Sequence, residues 1–174
     1  EMTSSLVGSE MCIRDRLKEA DLILTTGGVS VGDKDLVPDV IESLNGRVLF
    51  HGIRVKPGMP TMLSVVEDIP VLSLSGNPFA VAALFELLAG GYLADRAEAV
   101  YTQKKETKVL RQTFVKTGKP KRIVKGKCDE EGVFLPQIQR NGQLKNGIGS
   151  NCLVVFPEGE RTYPEGEKVQ VIRI

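Results

Sequence analysis

The segment from Leu22 to Asp35 places the strongest constraint on how this chain folds. Its apolar start predicts a buried strand that stops at Thr26-Gly27-Gly28, and a loop of small residues with a hydroxyl, a cation and two carboxylates follows. Glycines let a backbone turn sharply and present its N–H groups to an anion. Two aspartates one residue apart, Asp33 and Asp35, can hold a hard cation such as Mg²⁺. One interpretation is therefore a loop that binds phosphate and metal together.

The same loop also has a purely structural interpretation. Glycine, serine and aspartate suit strand-to-helix turns for conformational reasons alone. Asp35 stands where a helix N-cap is expected, because apolar residues follow at helical spacing from Leu36 to Leu44 and Asn45-Gly46 closes the segment. The loop by itself leaves both interpretations open.

Composition excludes several classes of protein. The 174 residues are 41% hydrophobic and 26% charged with a net charge of +1, which gives no overall attraction to nucleic acid or to a membrane. We find no apolar run as long as a bilayer span and no secretory signal at the start. Cys12, Cys128 and Cys152 form no CxxC pair, so neither a zinc site nor a disulfide framework is indicated. A reduced, cytoplasmic setting fits best.

Strands and helices alternate in the first half of the chain. Strands are predicted at Thr61–Val66 and Val71–Leu74, and a helix, apolar nearly all round and therefore buried, runs from Phe79 to Leu88 and ends at Gly90-Gly91. This alternation predicts an α/β domain built on a mostly parallel, three-layer sheet, which we assign to residues 17–96.

Residues 1–16 look foreign to this pattern. They have no period and no cap, and we interpret them as a non-native leader, such as a cloning or assembly scar, and exclude them from the fold prediction. The alternative is an ordinary helix that leads into Leu17.

The remainder of the chain predicts a second domain, which is small, all-β and barrel-like. From Lys104 to Lys127 there are ten basic residues, one acidic residue and no helical period, and short apolar segments separated by turn signals follow. We place the start of this domain between Asp95 and Lys108 and assign it residues 97–174. Because the basic stretch contains one aromatic residue, Phe114, a solvated β face is favoured over single-stranded nucleic acid binding.

Two further motifs carry chemistry. Ser75-Gly76-Asn77-Pro78 follows a strand and opens a helix, with Asn77 as N-cap and Pro78 at the first helical position. Helix starts attract anions, and loops at the carboxyl ends of parallel strands line one crevice, so we expect this loop and the Gly27-Gly28 loop to open on the same edge. Lys56-Pro57-Gly58-Met59-Pro60 is a stiff turn that would hold an ammonium in place for an oxyanion. The only histidine, His51, is interpreted as a packing residue.

These motifs, in this order, resemble the molybdopterin molybdenumtransferase family, which includes gephyrin-like proteins. Residues 26–35 match the family's GGxSxGxxD signature, residues 54–60 match its KPGxP element, and Gly76-Asn77-Pro78 matches the end of its PGNP element. The match runs from about Ala20 to Leu93, and a weaker one covers residues 150–157. The resemblance implies the C-terminal portion of such a protein, without the long N-terminal half of the family and the opening strand of its sheet.

The resemblance implies a transferase that inserts molybdate into adenylylated molybdopterin, uses Mg²⁺ and releases AMP. It also implies a homodimer in the full-length protein, with no nucleic acid or membrane partner. By carry-over, the catalytic residues are Asp33, Asp35 and Lys56, and the two aspartates hold the metal. The same carry-over assigns substrate binding to Thr26, Gly27, Gly28, Ser30, Gly32, Pro57, Gly58, Ser75, Gly76, Asn77 and Pro78.

The chain departs from the family pattern at a few positions. Ser75 and Ala80 stand where the family usually has proline and serine, Asn141 where a serine is expected, and Lys125 near an expected arginine. These departures bear on the molybdate subsite rather than on the fold. Two other functions therefore stay open, a non-catalytic molybdopterin-binding or scaffold module and the related molybdopterin adenylyltransferase.

Overall fold

The structure, a computed structural model, describes residues 2–30, 32, 35–100, 102–136 and 149–174. Two compact units are present, one formed by residues 1–53 and 58–81 and the other by residues 54–57 and 82–174. The predicted division at residues 96 and 97 stays a prediction. In chain order the elements are α1 (Met2–Arg16), β1 (Ile23–Thr26), α2 (Val37–Ser43), β2 (Arg47–His51), β3 (Val55–Lys56), β4 (Met62–Val66), β5 (Ile69–Leu74), α3 (Pro78–Leu84), a π-helical turn (Phe85–Ala89), α4 (Gly90–Arg96), β6 (Lys105–Val109), β7 (Phe114–Lys116), β8 (Lys121–Cys128), β9 (Val133–Phe134), β10 (Cys152–Phe156), β11 (Arg161–Tyr163) and β12 (Lys168–Arg173).

The first unit contains a four-stranded sheet in the order β1-β5-β4-β2. The pair β1–β5 is parallel, whereas β5–β4 and β4–β2 are antiparallel. The α/β class is confirmed, but the described sheet is mixed rather than mostly parallel. The reason is that β4 and β5 are joined by a tight turn at Glu67 and Asp68, both with positive φ, and so short a connection permits only antiparallel pairing.

The helices α1 and α2 cover one face of this sheet. Ile13 and Leu17 are buried in the same apolar cluster as Val40, Ile41 and Val71. Met2–Arg16 is therefore a helix that contributes to the core, which is the alternative interpretation of the leader, and excluding it from the fold was wrong. That residues 1–16 are non-native stays a prediction.

The helix that begins at Pro78 continues past the predicted stop at Gly90-Gly91. The Gly90 N–H bonds to the Phe85 carbonyl, five residues back, and this wider turn carries the helix on to Arg96. Gln103 Nε2 donates to the carbonyl of Glu86 at 3.0 Å, so a side chain supports the irregular turn. The prediction of a helix buried on every side was also wrong, because four of its large apolar side chains are exposed, namely those of Phe85, Leu88, Tyr92 and Leu93.

This continuous helix is longer and more apolar than the sequence analysis anticipated. The helix Pro78–Arg96 has 19 residues, its most apolar stretch of 18 residues has a mean hydropathy of 1.3, and 22% of that stretch is buried. By length and composition alone it meets the minimum for a membrane span, a criterion that core helices of soluble proteins also meet.

The second unit contains the small β domain that was predicted, together with the helical residues 82–96. Its main sheet has the order β3-β8-β10-β12-β6, and β9 pairs with the far end of β8. A bridge between Leu110 and Val133 joins β9 to the residue after β6, so this sheet closes on itself. Buried apolar side chains such as Val154 and Phe156 fill its interior. Burial there raises the pKa of the Cys152 thiol to about 12.

The basic stretch was predicted to form a solvated face, but one of its lysines, Lys116, is buried. Lys116 is only 2% exposed, and its Nζ donates to the carbonyl of Gly118 at 2.7 Å and to the carbonyl of Gly159. Two backbone acceptors thus replace the water that the ammonium loses on burial.

Candidate functional site

The Gly27-Gly28 loop follows β1 directly and requires glycine at both positions. Their φ angles are +81° and +66°, in the left-handed region that is costly for other residues. The Gly27 N–H donates to the Leu74 carbonyl at 2.9 Å, and the Gly28 carbonyl accepts from the Val37 N–H at 2.9 Å. The loop is therefore tied both to β5 and to the start of α2.

The loop after β5 is organised by Asn77. Its Oδ1 accepts hydrogen bonds from the N–H groups of Phe79 at 2.9 Å and Ala80 at 3.2 Å, so the predicted N-cap is confirmed. Pro78 is the first residue of α3, as predicted. Ser75 Oγ accepts from the Asn77 N–H at 3.3 Å. Because the cap engages two amides of the first turn and Pro78 has none, fewer donors of the helix start face a ligand than the sequence analysis assumed.

The two loops lie side by side. They follow neighbouring parallel strands that are paired from Ile23 with Val71 to Thr26 with Leu74. A Cβ placed on Gly76 would lie 3.5 Å from the Cα of Gly27, an ordinary van der Waals distance, so the two loop backbones pass close to each other. The prediction that both loops open on the carboxyl edge of the sheet is thus confirmed.

Asp35 closes the first loop instead of capping α2. Its Oδ2 accepts from the Gly32 N–H at 2.9 Å, and its own N–H donates to the Gly32 carbonyl at 2.8 Å. The residue at the N-cap position is Leu36, with no side-chain cap, so the predicted capping role of Asp35 was wrong. The physical reason is that the Asp35 carboxylate accepts the Gly32 N–H instead of an amide of the first turn of α2.

Of the two aspartates predicted to bind the metal, the structure describes only Asp35. Asp33 lies outside the described residues, as does Asn141. Among the described residues no three histidine, cysteine, aspartate or glutamate side chains come together as a metal-binding group. The Mg²⁺ site therefore stays a prediction.

His51 contacts the glycine loop, which the sequence analysis did not anticipate. Its side chain is exposed on β2, and its Nε2 lies 2.7 Å from the carbonyl oxygen of Val29, which is 1% exposed. Since a carbonyl can only accept, Nε2 carries the proton in this contact. The interpretation of His51 as a packing residue was wrong, and it braces the glycine loop. No local signal marks this role, because 22 residues separate the two partners.

The KPGxP element belongs to β3 and the turn after it. Lys56 is exposed in the second unit and pairs in register with Arg122 of β8. Within the first unit, the Gly58 carbonyl accepts from Thr61 Oγ1 at 2.7 Å, which fixes the end of the turn. The convergence of Lys56 with Asn77 and Asp33 stays a prediction. Of the other predicted binding residues, Thr26 is exposed, Ser30 and Pro57 are half-buried and Ser75 is buried.

The paired glycine loops on a mixed sheet, followed by a closed β domain, define a two-part α/β protein with a candidate ligand-binding edge. Residues 5–95 match the family described as a probable molybdopterin binding domain, and the chain belongs to this family. The match begins inside α1 and includes both loops.

Relatives agree with this assignment over most of the chain. The chain is 30% identical to the molybdopterin molybdenumtransferase of Bacillus subtilis, and the match covers 100% of the chain and 42% of that protein. It is similar to a solved molybdopterin biosynthesis protein of Pyrococcus horikoshii, with a TM-score of 0.79 and 27% identity over 94% of the chain and 40% of that protein. A molybdenum cofactor biosynthesis protein of Pyrococcus furiosus gives a TM-score of 0.73 at 25% identity, covering 95% of the chain and 54% of that protein. The chain thus spans about two fifths to one half of the length of these relatives.

Proposed function

We propose that this chain is part of a molybdopterin molybdenumtransferase, which inserts molybdate into adenylylated molybdopterin and releases AMP. The observation that carries the proposal is the contact between Gly27 and Gly76, which brings the two family-like loops together at the carboxyl ends of β1 and β5. Ligands of open α/β sheets bind at such edges. In this proposal the loops hold the pterin phosphate or the nucleotide, and Lys56 binds molybdate or phosphate.

We propose further that Mg²⁺ is bound by Asp33 and Asp35. Mg²⁺ usually takes one or two carboxylates and completes its shell with substrate phosphates and water. Asp35 suits this donor set, since no other described residue engages its Oδ1 while Oδ2 accepts the Gly32 amide. The ion would supply positive charge against the phosphates. The proposal also includes a cytoplasmic location and a homodimer of the full-length protein.

The test is a binding and turnover assay with adenylylated molybdopterin, Mg²⁺ and molybdate. Binding together with molybdate-dependent AMP release, followed by chromatography, is the expected result. Asp33→Asn is expected to remove the Mg²⁺ dependence of binding. The matched control is Asp39→Asn, which removes the same charge from an exposed position in the first turn of α2.

Other outcomes would favour other functions. If adenylylated molybdopterin does not bind, neither the transferase nor the adenylyltransferase is supported. Binding without molybdate-dependent AMP release would favour a non-catalytic binding module.

A further inference from the structure

Two buried hydroxyl groups lie side by side near the carboxyl ends of the strands that carry the glycine loops. Thr25 of β1 and Ser73 of β5 are register partners in the parallel pair. They come two residues after Ile23 and Val71, and alternate residues of a strand share a face, so both hydroxyls lie on the face that α1 and α2 cover. Ser73 is fully buried, and the hydroxyl oxygen of Thr25 is shielded from solvent.

Neither hydroxyl has a hydrogen-bond partner among the described residues. On its other side Ser73 is paired with Met62 of β4, which offers only a weakly accepting thioether. Thr25 belongs to the edge strand of the described sheet, so no described strand lies on its other side. A hydroxyl that is buried without a partner loses the hydrogen bonds that it makes with water in the unfolded chain, which is unfavourable. Two such groups on neighbouring strands point to a partner that they share.

We propose that one buried water molecule bridges Thr25 Oγ1 and Ser73 Oγ. Neighbouring strands lie about 4.8 Å apart, which is too far for a direct hydrogen bond between side chains that project in parallel. A water molecule spans this distance with two hydrogen bonds of about 2.8 Å each. Buried waters in proteins typically bond to polar groups that would otherwise be unpaired. The bridge joins the ends of β1 and β5 next to both loops, and the inference does not depend on the proposed function.

A double-mutant cycle on the whole 174-residue chain tests the bridge. Thr25→Val and Ser73→Ala each remove one hydroxyl and leave the water with a single partner, so in urea unfolding each should raise the unfolding equilibrium constant by about five- to thirtyfold. In the double variant neither hydroxyl is left unpaired, so its constant should not exceed that of the less stable single variant.

The matched control for Ser73→Ala is Ser64→Ala. Ser64 is also a fully buried serine on this face of the sheet, but its Oγ donates to the Val71 carbonyl at 3.4 Å. It lies on β4, two strands away from Thr25, so the effects of Ser64→Ala and Thr25→Val on the unfolding constant should simply multiply.

The sign of the single effects distinguishes the bridge from hydroxyls that have no partner. Removing an unpaired buried hydroxyl leaves a protein as stable as the wild type or more stable, and this result in both single variants would overturn the inference. Effects of Thr25→Val and Ser73→Ala that simply multiply in the double variant would also overturn it, because the two hydroxyls would then share no partner.

Magnetic relaxation dispersion of the water oxygen distinguishes a water bridge from a direct hydrogen bond between the hydroxyls, which would couple them equally. The wild-type chain should hold one more long-lived buried water than either single variant, and equal numbers would overturn the inference. If Ser73→Ala does not fold, the stability of Thr25→Val and its number of buried waters, each compared with the wild type, decide.

Discussion

Replacing Asn77 separates its structural role from its proposed place beside a ligand. In Asn77→Ala the N–H groups of Phe79 and Ala80 lose their acceptor at 2.9 and 3.2 Å. Since this helix start is only partly buried, water replaces part of the loss, and we expect the free energy of unfolding to fall by about 1 kcal/mol, within the usual range of about 0.5–2 kcal/mol for N-caps. For a chain of this size that corresponds to a decrease in Tm of roughly 2–4 °C.

Asn77→Asp is the informative partner of this variant. The aspartate keeps an acceptor for both amides, and its negative charge suits the start of a helix by about 0.3–1 kcal/mol, so stability should be equal to or above that of the wild type. The same charge would repel a polyanionic ligand at the adjoining Gly76 and Gly27, and we expect adenylylated molybdopterin to bind at least about tenfold more weakly.

Urea unfolding followed by circular dichroism measures the stability of the two variants, and calorimetric titration measures their affinity. An Asn77→Ala variant as stable as the wild type would show that the cap is not formed. Undiminished affinity in Asn77→Asp would show that no anion binds next to this loop, and the reasoning from the paired loops would fail.

Two further predictions concern the β domain. Gly126→Ala places a Cβ 2.8 Å from the Val133 Cγ2 and 3.0 Å from the Cys152 Sγ, so urea unfolding should show a free energy of unfolding lower by about 1–3 kcal/mol because of overpacking. Gly91→Ala, in an exposed helical position with open space, should raise the free energy of unfolding by about 0.5–1 kcal/mol. Equal stabilities of the two variants would contradict the packing of the interior. The hydrogen bond from Arg173 lowers the pKa of Glu106 below its ordinary value of 4.5, so its stabilising effect is complete above that pH and is lost as the pH falls through the lower folded-state pKa. Melting curves should therefore find Glu106→Gln less stable than the wild type at neutral pH and not in acid, and a difference that does not change with pH would refute this.

Local features of the site were predictable because their signals lie within a few residues. The Asn77 cap and Pro78 at the first helical position are confirmed, as is the stop of β1 at Gly27. The end of α2 at Asn45-Gly46 is confirmed as well, with Asn45 in the left-handed conformation at a φ of +54°. Each of these depends on hydrogen bonds or φ values fixed by neighbours in sequence.

Other local predictions failed where a different contact supplied a competing interaction, from a distant residue in one case and from a nearby residue in the other. Two glycines at positions 90 and 91 usually end a helix, but a π-helical turn with Gln103 bonded to its carbonyls carries this one onward. Asp35 has the composition of an N-cap, yet its carboxylate is engaged by Gly32. In both cases the sequence specified a residue with the right chemistry, and the surroundings decided which partner it met.

The sequence by itself determined the family of this chain, its α/β and all-β parts, and the turns that carry the glycine loops and the Asn77 cap. Only the tertiary structure decided that β2 joins the edge of the first sheet antiparallel to β4, that the His51 side chain contacts the Val29 carbonyl, and that Lys56 pairs with Arg122 in a different sheet from His51. The physical reason is the sequence separation between the residues that interact. Turn and cap preferences are set by a few adjacent residues, whereas strand pairing and register are chosen by the burial and hydrogen bonding of the whole chain.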